Sequence, residues 1–134
     1  MDDYFLIGQR KFTSRLIIGS GKYKSFQETK NALDVSGAQM ITVAIARTNI
    51  GQDSNKENLL DYIDKDIYTI LPNTAGCFKA DEAVRVAMIA REILETNLLK
   101  LEVLLDKKSL LPNESETLKA AEKLVKENFS VMVY

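Results

Sequence analysis

Leu98-Leu99-Lys100-Leu101-Glu102-Val103 is the stretch whose reading decides the fold. So much Leu and Val in so few residues is the composition of a β-strand. Successive side chains of a strand leave on opposite faces. Leu99, Leu101 and Val103 therefore share one face, and Lys100 and Glu102 share the other. On an antiparallel sheet the charged pair would simply face water. In a parallel sheet both faces are normally covered, and in a closed barrel alternate residues point into the interior. An amine and a carboxylate there are either an ion pair or a site of chemistry. The chemistry would be that of a lysine nucleophile forming a Schiff base with a carbonyl substrate.

The segments around this strand decide which kind of sheet it joins. Before it, Ala80 to Leu94 reads as a long helix with Asp81 and Glu82 in its first turn, where acids suit the dipole. Ala83, Val84, Ala87, Ala90 and Leu94 fall on one face of that helix. Further back, Tyr68-Thr69-Ile70-Leu71 reads as a strand closed by Pro72-Asn73-Thr74-Ala75-Gly76. Ser54 and Glu57 have capping-box spacing ahead of a short helix through Leu59, Leu60 and Ile63. Met40 to Ala46 is apolar nearly throughout and ends at Arg47, the pattern of a strand buried on both faces. Ser25 and Glu28 form another capping box, with Ala32 and Leu33 in the helix stripe and Gly37 as the stop.

Arg15 to Gly19 reads as a buried strand that runs into Gly19-Ser20-Gly21-Lys22. A Walker A loop wants four residues between its glycines and Ser or Thr after the lysine, so this run reads as a strand-to-helix turn. Gly8-Gln9, between Tyr4-Phe5-Leu6-Ile7 and Arg10-Lys11-Phe12, signals a hairpin. After the central strand, Asn113 is placed to cap a last helix, with Glu116 placed to cap in return. Leu118, Ala121, Leu124 and Val125 are its expected core face, and Asn128 its left-handed end. Phe129 to Tyr134 reads as a final strand.

The order is a hairpin followed by βαβαβαβαβ. Regular alternation of this kind implies right-handed crossovers and a parallel sheet. The expectation is one α/β unit, with a hairpin over residues 1–13 and βα units over 15–134 that end in the fifth strand.

Composition narrows the chemistry. The chain has 134 residues and a formal net charge of −1, which suits one soluble domain and gives no reason to expect nucleic acid or an anionic membrane as partner. No apolar run approaches the roughly 20 residues of a membrane span. Cys77 is the only cysteine, so no internal disulfide forms and a reducing compartment, the cytoplasm, is expected. Its side chain reads as a small buried hydrophobe rather than a nucleophile. Histidine is absent, which removes His metal sites, Ser-His-Asp and Cys-His systems and imidazole acid-base chemistry. No metal and no cofactor are expected, and catalysis would rest on Lys, Asp, Glu, Tyr or Cys77.

In order and spacing, several segments resemble thiazole synthase of thiamin biosynthesis, a TIM-barrel enzyme. They are Ser14-Arg15-Leu16-Ile17-Ile18-Gly19-Ser20-Gly21-Lys22-Tyr23, Leu71-Pro72-Asn73-Thr74-Ala75-Gly76, Asp81-Glu82-Ala83-Val84-Arg85, Leu99-Lys100-Leu101-Glu102-Val103, and Leu110-Leu111-Pro112-Asn113 with Glu116-Thr117-Leu118-Lys119-Ala120. Asn113 stands where many members have Asp, and Asn128 where Gly is usual; both changes preserve capping. A whole barrel takes about 250 residues. The resemblance thus covers roughly the first half, and implies that a catalytic Asp and the phosphate-binding loops belong to the other half.

The implied reaction joins 1-deoxy-D-xylulose 5-phosphate, dehydroglycine from a glycine-imine-supplying enzyme, and sulfur from a thiocarboxylated sulfur-carrier protein. The product is the thiazole phosphate precursor of thiamin, and the protein is expected to be a homo-oligomer. Residue by residue, Lys100 matches the Schiff-base lysine and Glu102 the acid-base carboxylate. Arg47, Asn73 and Thr74, at strand ends where barrel active-site loops lie, are candidate substrate contacts, although Asn and Thr there also serve as turn or cap residues. Tyr134 would line the pocket or fray. Two competing readings remain open: a catalytically incomplete half-barrel acting only as an association module, and another lysine-imine barrel such as a class I aldolase.

Overall fold

The computed structural model describes residues 3–134, so the first two residues of the 1–13 segment lie outside the described residues. The chain forms two compact units. One comprises residues up to 43 together with 48–71, the other residues 44–47 together with 72–134.

In the first unit, Phe5–Ile7 (β1) and Arg10–Phe12 (β2) pair antiparallel across Gly8-Gln9. Gly8 has φ 59°, the left-handed conformation that tight hairpin connections require. Ile17–Gly19 (β3) leads through the Gly19–Lys22 turn into Phe26–Ser36 (α1), and then to Met40–Ala44 (β4). The strands β3 and β4 pair in parallel, with Ile17 opposite Met40 and Gly19 opposite Thr42. Ser25 Oγ accepts the Glu28 N–H at 3.1 Å, as the capping spacing predicts. The return bond from the Glu28 carboxylate goes one residue further back, to the Lys24 N–H at 2.6 Å. Gly37, at φ 72°, ends the helix. Next to β4 begins Thr69–Asn73 (β5), giving the order β3-β4-β5.

The capping box expected at Ser54 and Glu57 does not form. A single 3₁₀ turn, Leu59–Asp61, is capped instead by Asn58, whose Oδ1 accepts the Leu60 N–H. The cause lies upstream. The Asn49 amide donates to the carbonyls of Asp53, Lys56 and Glu57 at 2.9–3.0 Å and holds that stretch as a loop. The Glu57 carboxylate is engaged by the Tyr62 hydroxyl.

The second unit carries the end of β5, then Ala80–Leu94 (α2), Leu98–Leu101 (β6), Glu114–Lys126 (α3) and Ser130–Val133 (β7). Strand order here is β5-β6-β7, all parallel, with Asn73 opposite Lys100 and Leu98 to Leu101 opposite Ser130 to Val133. Both units are thus α/β, with parallel strands joined through helices. The core of the second unit packs Leu99, Leu101 and Val103 against Ala83 and Ala87 of α2 and Ala120 and Leu124 of α3. Alanine on the facing helices lets them approach the strand closely, and Leu99, Leu101 and Val103 are all 0% exposed.

α2 matches the sequence reading at both ends. The core face of α3 does not. Thr117, Ala120 and Leu124 are buried, whereas Leu118 and Val125 are 71% and 60% exposed. The buried stripe is rotated toward the small residues, because a close helix-to-strand approach leaves room for Ala and Thr but not for two more branched chains. Asn113 Oδ1 caps α3 through the Glu116 N–H, but the Glu116 carboxylate does not return to Asn113. It accepts the Ala80 N–H at 2.8 Å and so ties the starts of α2 and α3 together. Asn128 takes the expected left-handed conformation at φ 63°. Among the described residues, no helix is long and apolar enough to cross a membrane.

Candidate active site

Lys100 is the third residue of β6 and half-buried, between the fully buried Leu99 and Leu101. The alternation of half-buried and buried residues continues through Glu102 and Val103, so the two charged side chains do leave the same face. The strand itself is shorter than Leu98–Val103, because β6 ends at Leu101. Thr74 explains why. Its N–H donates to the Lys100 carbonyl at 3.2 Å, continuing the ladder for one step. Its hydroxyl then takes over, accepting the Glu102 N–H at 2.8 Å and donating to the Glu102 carbonyl at 2.7 Å. A hydroxyl offers one donor and two acceptor sites, so one side chain satisfies both backbone groups of Glu102. The carboxylate is thereby carried on a pinned backbone just past the strand end.

That arrangement makes a stability prediction. Thr74 is 0% exposed, and Thr74→Val keeps its shape while leaving both Glu102 backbone groups unpaired. In the full-length protein this should cost about 1–3 kcal/mol by chemical denaturation, with Thr74→Ser costing less.

Asn73 is opposite Lys100 in the sheet register, and its Oδ1 accepts the Ala75 N–H at 3.1 Å, turning the chain out of β5. Its carbonyl accepts the Ile45 N–H at 3.3 Å. Asn73, Thr74, Lys100 and Glu102 are therefore neighbours. Arg47 follows β4. It is exposed at the end of a turn closed by its own N–H on the Ala44 carbonyl, and its guanidinium lies over Gly76. Gly76 has φ 93°, a left-handed backbone that favours glycine, and a Cβ there would meet the Arg47 side chain only at an ordinary contact distance of 3.5 Å.

Arg47 and Gly76 line a cleft of about 430 Å³ with Ala46, Ala75, Phe78, Leu104, Lys107 and Leu110. Each of these residues follows the C-terminal end of β4, β5 or β6. Ligands of parallel α/β sheets bind outside those ends. Among the described residues, two cations and no carboxylate line the cleft, which suits an anionic group. Lys100 and Glu102 are not among its lining residues. Phe78, Lys107 and Leu110 carry no local sign of being cleft residues, because they come from two irregular connections, β5–α2 and β6–α3.

Tyr134 spans the two places. Its N–H donates to the Leu101 carbonyl at 2.9 Å, and its hydroxyl donates to the Leu110 carbonyl at 3.0 Å. Its ring centroid is 5.4 Å from Lys100 Nζ, within reach of a cation–π contact. Among the described residues Lys100 has no ion-pair partner, so the Lys100–Glu102 pair is not a closed salt bridge. Cys77 is buried in the core, and burial, followed by the nearby charges of Glu82 and Glu102, pushes its thiol up to about 11. A neutral, enclosed thiol is a poor nucleophile. Among the described residues, no group of acidic or thiol side chains is placed to hold a metal ion.

The family model described as thiazole biosynthesis protein ThiG matches residues 6–134. The chain is 61% identical over 133 residues to a thiazole synthase of Aquifex aeolicus, covering 99% of this chain and 49% of that one. It is 59% identical to a thiazole synthase of Pseudomonas aeruginosa strain PAO1, covering 99% and 51%. A third, from Azoarcus sp. strain BH72, is 58% identical over 100% of this chain and 52% of its own. Among solved structures, a chain of the Amycolatopsis orientalis BexX/CysO complex is similar, with a TM-score of 0.73 and 25% identity over 96% of this chain and 52% of that one. The chain spans about half the length of the relatives it matches.

Proposed function

Since the chain belongs to the family of thiazole biosynthesis protein ThiG, we propose that the whole protein is a thiazole synthase, a transferase of thiamin biosynthesis. In this reading Lys100 forms a Schiff base with 1-deoxy-D-xylulose 5-phosphate and Glu102 moves the protons. The observation that carries it is the face of β6. An amine without an ion-pair partner among the described residues and a carboxylate on a pinned backbone leave a strand whose other face is wholly buried.

The chemistry follows from those two groups. The free amine of Lys100 attacks the substrate ketone, and the carbinolamine loses water to give an imine. The imine draws electrons from the adjacent carbon, whose proton passes to a base and returns at a different atom. Glu102 lies two residues from Lys100, roughly 7 Å along an extended chain, near enough to serve a substrate fixed on the lysine. Asn73, Thr74 and Arg47 are the proposed substrate-binding residues, Asn73 and Arg47 by contact, the latter in the cationic cleft, and the buried Thr74 by positioning the Glu102 backbone.

The remaining proposals concern the full-length protein. The parallel strands described here form the first part of a TIM barrel, preceded by the β1–β2 hairpin. Dehydroglycine from a glycine-imine-supplying enzyme and sulfur from a thiocarboxylated carrier protein complete the ring. A two-protein complex among the similar structures is consistent with a carrier partner. The enzyme works as a homo-oligomer in the cytoplasm.

Borohydride reduction is the test. Incubating full-length protein with 1-deoxy-D-xylulose 5-phosphate and borohydride should add the reduced substrate to one peptide, with the label on Lys100. Label on Lys22, Lys79 or Lys107, or none, would overturn the assignment.

A further inference from the structure

We propose that Tyr134 is a positioning residue for Lys100, its ring fixing the direction from which the lysine amine meets a carbonyl. The inference rests on the Schiff-base reading above and adds a residue to it.

Three observations converge on Tyr134. First, both ends of the residue are tied down. The backbone N–H is bound to Leu101, the neighbour of Lys100, and the hydroxyl is bound to the Leu110 carbonyl. A tyrosine held at both ends has little freedom to swing its ring. Second, that ring lies 5.4 Å from Lys100 Nζ, and no ion pair among the described residues competes with it. A flexible four-carbon stem samples many rotamers unless something selects among them. A fixed aromatic face on one side favours those that bring the ammonium over it.

Third, the acceptor on which the hydroxyl rests is itself unusual. Leu110 has φ 55°, a left-handed conformation that is costly for a non-glycine residue and persists only where the surroundings impose it. The surroundings are visible. The Leu105 N–H donates to the Leu111 carbonyl at 2.8 Å, Leu104 bridges Pro112, and the Asn113 N–H donates to the Val103 carbonyl at 2.8 Å. Asp106 Oδ1 accepts the N–H groups of Lys108 and Ser109, each at 2.8 Å. The loop is thus a closed ring of hydrogen bonds that offers the Leu110 carbonyl to Tyr134. Leu110 also lines the cationic cleft. Rigid loop, hydroxyl, ring and lysine form one continuous chain from the cleft wall to the amine.

Positioning of this kind acts on the rate at which the amine reaches the carbonyl rather than on the chemistry of the imine. The test compares Tyr134→Phe and Tyr134→Leu with the unsubstituted full-length protein, each incubated with 1-deoxy-D-xylulose 5-phosphate and quenched with borohydride at timed intervals. The Phe variant keeps the ring and should label Lys100 within about threefold of the native rate. The Leu variant should be slower by about tenfold, with the same final extent of labelling. Carbon-13 lysine spectra supply an independent readout. The ε-methylene protons of Lys100, assigned by their loss in Lys100→Arg, should be shifted upfield by the ring in the native and Phe proteins and not in the Leu protein.

Equal labelling rates in native and Leu proteins overturn the positioning role, and so does a Phe variant as slow as the Leu one. If Tyr134→Leu does not fold, the Phe and native spectra decide. Lys100 protons without an upfield shift in both would remove the ring contact itself. A native protein that labels nowhere on Lys100 overturns the Schiff-base reading and this inference with it. Native labelling on Lys100 with no dependence on residue 134 overturns only the inference.

Discussion

Replacing Lys100 by arginine in the full-length protein is expected to abolish both borohydride trapping of 1-deoxy-D-xylulose 5-phosphate and thiazole formation. Arginine keeps the positive charge and much of the length, and its stem can still run along β6 toward the Tyr134 ring. A guanidinium stays protonated at every working pH and has no lone pair to offer a carbonyl. The substitution therefore separates charge from nucleophilicity. If Lys100 served only to hold an anionic substrate, Lys100→Arg would keep substantial turnover. Loss of a covalent step has no such partial form, because the remaining machinery has no imine on which to act. Folding is not expected to suffer, since Lys100 is half-buried with no ion-pair partner among the described residues. Unchanged circular dichroism and unfolding midpoint would establish that only chemistry was lost. Turnover within tenfold of native would remove Lys100 from the reaction.

The elements that support this site were legible where a local rule and the tertiary need coincide. The alternation from Leu99 to Val103 is a period of two, and burial reproduces it residue by residue. α2 carries acids at its start and alanines at helical spacing, and its observed range matches the reading. Long-range competition accounts for the misses. Nothing near Ser54 signals that the Asn49 side chain will take three carbonyls of the following loop. In α3, hydrophobicity ranks Leu118 above Ala120, but packing against β6 selects for size, and the larger residue is turned outward.

The site itself divides the same way. Lys100 and Glu102 were visible because two charges interrupt an apolar run. Asn73 and Thr74 were visible as turn residues, but the double hydrogen bond between Thr74 and Glu102 joins residues 28 apart and has no local signature. The Tyr134–Leu110 bond, across 24 residues, is equally silent in the sequence. A tyrosine at a strand end reads as frayed or pocket-lining until the partner of its hydroxyl is known.

Glu102→Gln in the full-length protein is expected to leave trapping on Lys100 close to native while lowering thiazole formation by about 10²–10⁴-fold, the usual effect of losing a positioned acid-base group. Glutamine preserves the volume, and the Thr74 hydroxyl holds the backbone at this position whatever the side chain. Geometry is thus conserved, and only the ability to accept and return a proton is removed. Imine formation needs the lysine amine and a carbonyl, so the adduct should still appear. The rearrangement that follows needs a proton taken from the carbon beside the imine, and there the amide fails. The two readouts must split for the assignment to hold. If trapping and product formation fell together, Glu102 would be needed before the imine forms, as a support for Lys100 or a substrate contact. If both stayed near native, the carboxylate would be an ordinary charged residue at a strand end, and the proton shuttle would have to be sought elsewhere in the full-length protein.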